Sequence, residues 1–285
     1  MEIHHGHSLT VADGFVAKAD VEWWPAYVTL GAVVGFLAGL LGIGGGLVMV
    51  PVLSFIFSAQ NFHPDHILHL ALGTTMAAII FSSVASLRTH HLHGAVNWKV
   101  VKYITPGIVA GTLSGTTLAS LIPGRSLSII FVVFIYLAAT QMLLMVAPKP
   151  SRDLPGKQGL LAAGGIIGFI SSFVAIGGGL LTVPFLSFCN VRFQHAIGTA
   201  AAVGFPIAVA GAAGYIANGL AQSPALPDYS LGFVYLPALA GVVLASTITA
   251  PLGARTTHLI KTDTLRKIFV ILLYLLGTKM LMGLF

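Results

Sequence analysis

Residues 35–55 read GFLAGLLGIGGGLVMVPVLSF, an apolar run broken by three adjacent glycines, Gly44, Gly45 and Gly46, and then by Pro51. Each glycine costs a helix interior about 1 kcal/mol relative to alanine. Pro51 lacks an N–H and frees the carbonyl of Leu47, four residues back. In water such a stretch would be a loop. Here no polar residue appears until Ser54, so the irregular backbone lies among apolar neighbours. Unpaired backbone groups at membrane depth cost several kcal/mol unless protein, water or a ligand satisfies them. A helix broken in such surroundings marks a cavity.

The stretch occurs twice. Residues 168–188 read GFISSFVAIGGGLLTVPFLSF, and the ungapped comparison with 35–55 gives 12 identities in 21 positions. Gly177, Gly178, Gly179 and Pro184 repeat the first spacing. Two breaks at corresponding positions of a duplicated chain point to a binding site. The tails of the halves match as well: Phe131, Tyr136, Met142 and Leu143 align with Phe269, Tyr274, Met280 and Leu281.

Composition sets the class. Of 285 residues 56% are hydrophobic and 8% charged, against roughly 25% charged in a soluble domain. Several apolar runs reach about 20 residues, enough to span a bilayer. The expected fold is an all-α polytopic membrane protein of two inverted repeats. Each is a glycine-broken hairpin or re-entrant element followed by three transmembrane helices. The domains read as a polar tail (1–24), a first membrane repeat (25–147), a linker (148–157) and a second membrane repeat (158–285). The broken elements fall at about 25–57 and 158–189. The spans fall at about 66–88, 102–122 and 127–147, then 195–218, 231–250 and 265–284.

If each broken element crosses an even number of times, loops 88–102, 147–158, 190–195 and 250–267 share one face. They hold 11 of the 14 Lys and Arg residues, and the other face holds six of the eight acids. The positive-inside rule puts the basic face in the cytoplasm and both termini outside. The net charge of +6 is then a topology signal, with no nucleic-acid partner implied. The halves are inverted, a recurring plan of secondary transporters.

Two elements of the form G-[IL]-G-G-G-x-x-x-x-P-x-L, each followed by a Gly-Thr pair, resemble the TauE/SafE sulfite exporter family. Here they run from Gly44 to Leu53 with Gly73 and Thr74, and from Gly177 to Leu186 with Gly198 and Thr199. Gly253-Ala254-Arg255 and the segment from Leu265 to Phe269 also fit, although the first half has Pro123-Gly124-Arg125 instead. The resemblance implies a multi-pass transporter of the inner membrane that carries sulfur-containing or other organic anions.

The residues suggest how an anion would be held. Glycine lets a ligand approach the backbone and tolerates left-handed angles that aim N–H groups into a concavity. If Leu47 and Leu180 begin half-helices, each N-terminus offers unpaired donors and a positive dipole end. The hydroxyls of Thr74, Thr75 and Thr199 would complete the shell. No Asp or Glu lies mid-span, so a carboxylate proton relay has no candidate. His69 and His195 stand near span starts, as interfacial histidines, and Lys279 is expected to snorkel to the outer interface.

The expected function is export of a small anion such as sulfite or an organosulfonate, with the lipid bilayer as surroundings, no cofactor and no enzymatic activity. Whether the chain forms a homo-oligomer is left open. The alternative is a metal-handling membrane protein built on His4, His5 and His7, on His63, His66 and His69, or on His90, His91 and His93. Against it, the last two sets fall on opposite faces of the membrane in the even-crossing scheme.

Overall fold

A computed structural model describes residues 21–41, 45–144, 152–222, 226–256 and 262–283. Gly44, the tail histidines and the linker as far as residue 151 lie outside them. The first broken element is two helices, α1 (Trp24–Leu41) and α2 (Gly46–Ala59). The second is α6 (Lys157–Val174) and α7 (Gly179–Phe188). Both breaks fall at the glycines, as the helix cost of glycine requires. Pro51 and Pro184 lie inside α2 and α7, so the prolines do not set the breaks. With 14 and 10 residues, α2 and α7 are only about 21 and 15 Å long, short of the ~30 Å hydrocarbon core.

Each pair folds back as a hairpin. Gln60, just past α2, donates through Nε2 to the Tyr27 hydroxyl near the start of α1. The Arg152 N–H, ahead of α6, reaches the Phe188 carbonyl at the end of α7 at 3.4 Å. The two short helices also end alike, on Asn61 and Asn190, both at φ 58°. The next N–H groups bond back, Phe62 to the Phe57 carbonyl at 3.1 Å and Val191 to the Leu186 carbonyl at 3.0 Å. Asparagine tolerates this left-handed helix end better than most residues.

Three long helices follow in each half. In the first they are α3 (Pro64–Leu92), α4 (Trp98–Leu121) and α5 (Gly124–Leu144). In the second they are α8 (Phe193–Leu220), α9 (Leu236–Thr256) and α10 (Thr262–Met282). Five helices among the described residues, α3, α5, α6, α8 and α9, are long and apolar enough to cross a membrane. The expected span at 231–250 starts too early. A small antiparallel hairpin, β1 (Ser230–Leu231) with β2 (Val234–Tyr235), occupies its first residues and pairs Leu231 with Val234. Positive φ at Tyr229 (63°) and Gly232 (55°) turns the chain before α9 begins.

The helices pack across the halves: α4 on α6, α9 on α1, α3 on α8 and α5 on α10. Exchanging every helix for the one five later leaves these pairings unchanged. The α4–α6 seam is built on small residues, with Gly107 against the Leu161 carbonyl, Gly111 against that of Gly165 and Gly115 against Ser172. Absent side chains let the backbones approach closely, as in other membrane helix pairs. Gly31 and Gly35 of α1 meet Val242 and Ser246 of α9 in the same way. Both seams are parallel. By contrast α3 and α8 are antiparallel, with Gly73 near Tyr215 and Gly211 near Met76. So are α5 and α10, where the Tyr136 and Thr278 hydroxyls bond at 2.8 Å and those of Thr140 and Tyr274 at 2.7 Å. Corresponding long helices at these two crossings thus run in opposite senses.

Candidate substrate site at the two helix breaks

The two breaks meet. A Cβ on Gly46 would overlap the Ala175 carbonyl oxygen, so the start of α2 abuts the end of α6. Ile79 of α3 touches both, 3.3 Å from a Cβ on Gly46 and 3.7 Å from one on Gly177. A Cβ on Gly178 would lie 2.5 Å from the Ala200 carbonyl and 3.0 Å from the Gly204 N–H nitrogen of α8. The expected left-handed glycines are not found where they can be measured. Gly45 has φ −66° and Gly178 φ −43°, while the left-handed residue is Ala175 at φ 47°. At Gly46 and Gly178 glycine is needed for close backbone approach, a matter of space and not of torsion.

Leu47 and Leu180 lie in the first turns of α2 and α7 and are buried. The opening N–H groups of any helix lack an intrahelical partner. The second break is sealed from solvent, since residues 171–178 are all buried. Pro51 is buried and Pro184 half-buried, each within its short helix.

The Gly-Thr pairs sit elsewhere, at the seams between the halves. A Cβ on Gly198 would lie 2.5 Å from the Ala95 carbonyl, and Thr199 Oγ1 accepts from the Asn97 N–H at 2.9 Å. A Cβ on Gly73 would overlap the Phe233 carbonyl, and Thr74 Oγ1 accepts from the Tyr235 N–H at 2.9 Å. Each pair thus clamps the turn that opens the fourth helix of the other half. Both turns carry a positive-φ glycine, Gly94 at 65° and Gly232 at 55°. Sequence reading missed this device, although Gly-x-Val recurs at 94–96 and 232–234. Each turn also lines a concavity. One of about 480 Å³ is bounded by Asn97, Trp98 and His195, and one of about 240 Å³ by Asp228, Tyr229 and Gly232.

Thr75 differs from its neighbours Thr74 and Thr199. It is fully buried, and its Oγ1 has no hydrogen-bond partner among the described residues. The same holds for Thr112, Ser171 and Thr182. Among the residues whose side chains are described, which leaves out 254–256 and 262–266, the buried polar groups are hydroxyls and His69, with no Lys, Arg, Asp or Glu.

His69 is buried inside the bundle. It is 3% exposed, stacks on Phe233 at 5.0 Å, and has both ring nitrogens 3.0 Å from carbonyl oxygens, those of Asp65 and Ala119. His195 is half-buried at the rim of the larger concavity. His63 and His66 pair at the start of α3 with ring centroids 5.4 Å apart. Near the end of that helix, His91 accepts from the Trp98 indole N–H at 3.3 Å. No three His, Cys, Asp or Glu among the described residues are grouped to hold a metal ion. Lys279 rests its ammonium 4.9 Å from the centre of the Phe55 ring.

Comparison with known proteins fits this architecture. A probable membrane transporter protein of Haemophilus influenzae is 33% identical over 252 residues, covering 88% of this chain and 95% of the relative. The probable membrane transporter protein MJ0441 of Methanocaldococcus jannaschii is 27% identical over 278 residues, covering 94% and 100%. The probable membrane transporter protein YunE of Bacillus subtilis is 25% identical, covering 89% and 96%. No solved structure matches the chain. Residues 27–280 match the family described as "Sulfite exporter TauE/SafE". A membrane transporter by its helices and its relatives, the chain belongs to the TauE/SafE family.

Proposed function

We propose that this membrane transporter exports a small sulfur-containing or organic anion, such as sulfite or an organosulfonate, and that the anion binds at the two helix breaks. The observation that carries the reading is the meeting of the breaks in a region without buried cations, where Gly46 abuts Ala175 and Ile79 bridges to Gly177. The backbone at Gly45, Gly46 and Leu47 and at Gly177, Gly178, Gly179 and Leu180 supplies N–H donors and two positive helix ends. Thr75 adds a hydroxyl. Pro51 and Pro184 shape the short helices, and Gly73–Thr74 and Gly198–Thr199 hold the seams that frame the site.

The halves form an inverted repeat about an axis in the membrane plane. The antiparallel α3–α8 and α5–α10 crossings and the two returning hairpins support this arrangement, which puts the basic loops in the cytoplasm and both termini outside. Such a site releases an anion outward down the membrane potential, worth about 2.3 kcal/mol per charge per 100 mV.

The test is efflux from proteoliposomes loaded with sulfite or methanesulfonate. Gly45→Val and Gly178→Val should abolish flux while inserting normally, and an imposed inside-negative potential should speed the wild type. Wild-type flux in either variant refutes the site, and indifference to the potential refutes the driving force.

A further inference from the structure

The repeat makes it possible to ask which polar groups the fold needs and which it does not. Thr182 of α7 aligns with Met49 of α2, Ser171 of α6 with Ala38 of α1, and Thr75 of α3 with Ala200 of α8. In every pair one half holds a buried hydroxyl without a partner and the other holds an apolar side chain at the same place. Leaving a buried hydroxyl unpaired is destabilising. The apolar counterparts show that the architecture stands without it. Two of the three hydroxyls flank the second break and none belongs to the first. Thr182 lies one turn past Gly178, and its Cβ tilts back over the opening turn of α7, as in any α-helix. Ser171 lies in the last turn of α6, four residues before the left-handed Ala175. Thr112, the remaining orphan on the paired long helices, is covered by Gly168, two turns before the break.

From this asymmetry we propose that the substrate sits on one side of the pseudo-symmetric site, at the α6–α7 break. There Thr182 and Ser171 donate to a singly charged oxyanion, joined by Thr75, one turn before the Ile79 that touches Gly177. The proposal rests on the anion-transporter reading above and adds the binding residues and the charge of the substrate. The charge follows from the donor set. Hydroxyls, backbone N–H groups and a helix end supply partial charges only, and no buried Lys or Arg is present among the residues whose side chains are described. The solvation lost when an ion leaves water grows with the square of its charge. A doubly charged anion therefore loses about four times as much as a single charge of the same size, and this site holds nothing to match that.

The experiment is thermal melting of the purified full chain with methanesulfonate and with sulfate, which carry fixed charges of one and two. Three variants accompany the wild type: Thr182→Val, Ser171→Ala and Thr112→Val. Methanesulfonate should raise the melting temperature of the wild type and sulfate should raise it less at the same concentration. All three variants should melt higher without ligand, because each removes an unpaired buried hydroxyl. Thr182→Val and Ser171→Ala should lose the methanesulfonate shift, and Thr112→Val should keep it. Full shifts in Thr182→Val and Ser171→Ala, or a sulfate shift equal to that of methanesulfonate, overturn the proposal and leave anion transport standing. No shift with either anion, with no anion flux in proteoliposomes, overturns both.

Discussion

Thr74 and Thr199 are where a binding role and a packing role make opposite predictions. Replacing either with valine keeps shape and removes the acceptor for one backbone N–H. At Thr74 that N–H belongs to Tyr235, which is 3% exposed and has no access to water as a substitute. Stranding a buried donor costs about 1–3 kcal/mol, so Thr74→Val should lose about 2–3 kcal/mol. At Thr199 the partner is Asn97, on the rim of the larger concavity, where water can replace the hydroxyl. A loss of about 1 kcal/mol is expected there. By the usual size scaling Thr74→Val should lower Tm by roughly 5–10 °C and Thr199→Val by roughly half that or less. Serine keeps the oxygen and removes one methyl, so each serine variant should cost no more than about 1 kcal/mol. The two losses should add in the double variant, because the clamps share no partner. The assay is thermal melting together with anion efflux, both normalised to folded protein. Valine variants that melt like the wild type but no longer transport would refute the clamp and return these hydroxyls to the substrate.

Further expectations follow from particular contacts. In the α4–α6 seam, a Cβ on Gly111 overlaps the Gly165 carbonyl, whereas one on Gly165 stands 3.8 Å from that of Gly107. Gly111→Ala should therefore cost about 1–3 kcal/mol and Gly165→Ala almost nothing, as read by detergent melting. The Tyr136–Thr278 and Tyr274–Thr140 bonds are reciprocal. Tyr136→Phe and Tyr274→Phe should thus lose similar amounts, about 0.6 kcal/mol each, and a severalfold difference in unfolding free energy would deny the equivalence.

Burial pushes the Cys189 thiol above its ordinary pKa, with the Arg152 charge opposing more weakly. Its neutral form is favoured in the folded chain, so this contribution to stability is intact below the unfolded thiol value and is lost as pH rises towards the folded one. Maleimide labelling of the native protein should be slow at neutral pH, and Cys189→Ala should flatten the alkaline fall in Tm. Fast labelling at neutral pH would contradict the burial.

The breaks were legible because the physics that makes them is local. Glycines at 44–46 and 177–179 weaken a helix wherever they occur, and their recurrence within matching apolar runs locates both. What they do there was not legible, since space at Gly46 is set by a carbonyl at position 175. The Gly-Thr pairs are a sharper case. Within α3 and α8 they look like ordinary helical residues, and their partners lie 161 and 102 positions away. Nothing near Thr74 announces Tyr235. The early start assigned to the span at 231 has a similar cause: LGFVYL is apolar throughout, and only the torsions at Tyr229 and Gly232 separate hairpin from helix. The asymmetry of the hydroxyls, by contrast, stands in the repeat alignment itself, as Met49 against Thr182 and Ala38 against Ser171, while their lack of partners comes only from the structure.

The cross-half pairing also dictates an order of assembly. The small-residue face of α4 meets its partner soon, because α6 follows after a single intervening helix. The corresponding face of α1 waits much longer, since Gly31 packs on Val242 and Gly35 on Ser246. During synthesis the first hairpin must sit in the bilayer with its glycine seam uncovered while about two thirds of the chain is made. Contacts of such separation close late. The later of the two glycine seams to form is then the one that fastens the chain to its own beginning, so a ribosome stalled before α9 would leave a bundle open along one side, exposed to quality control.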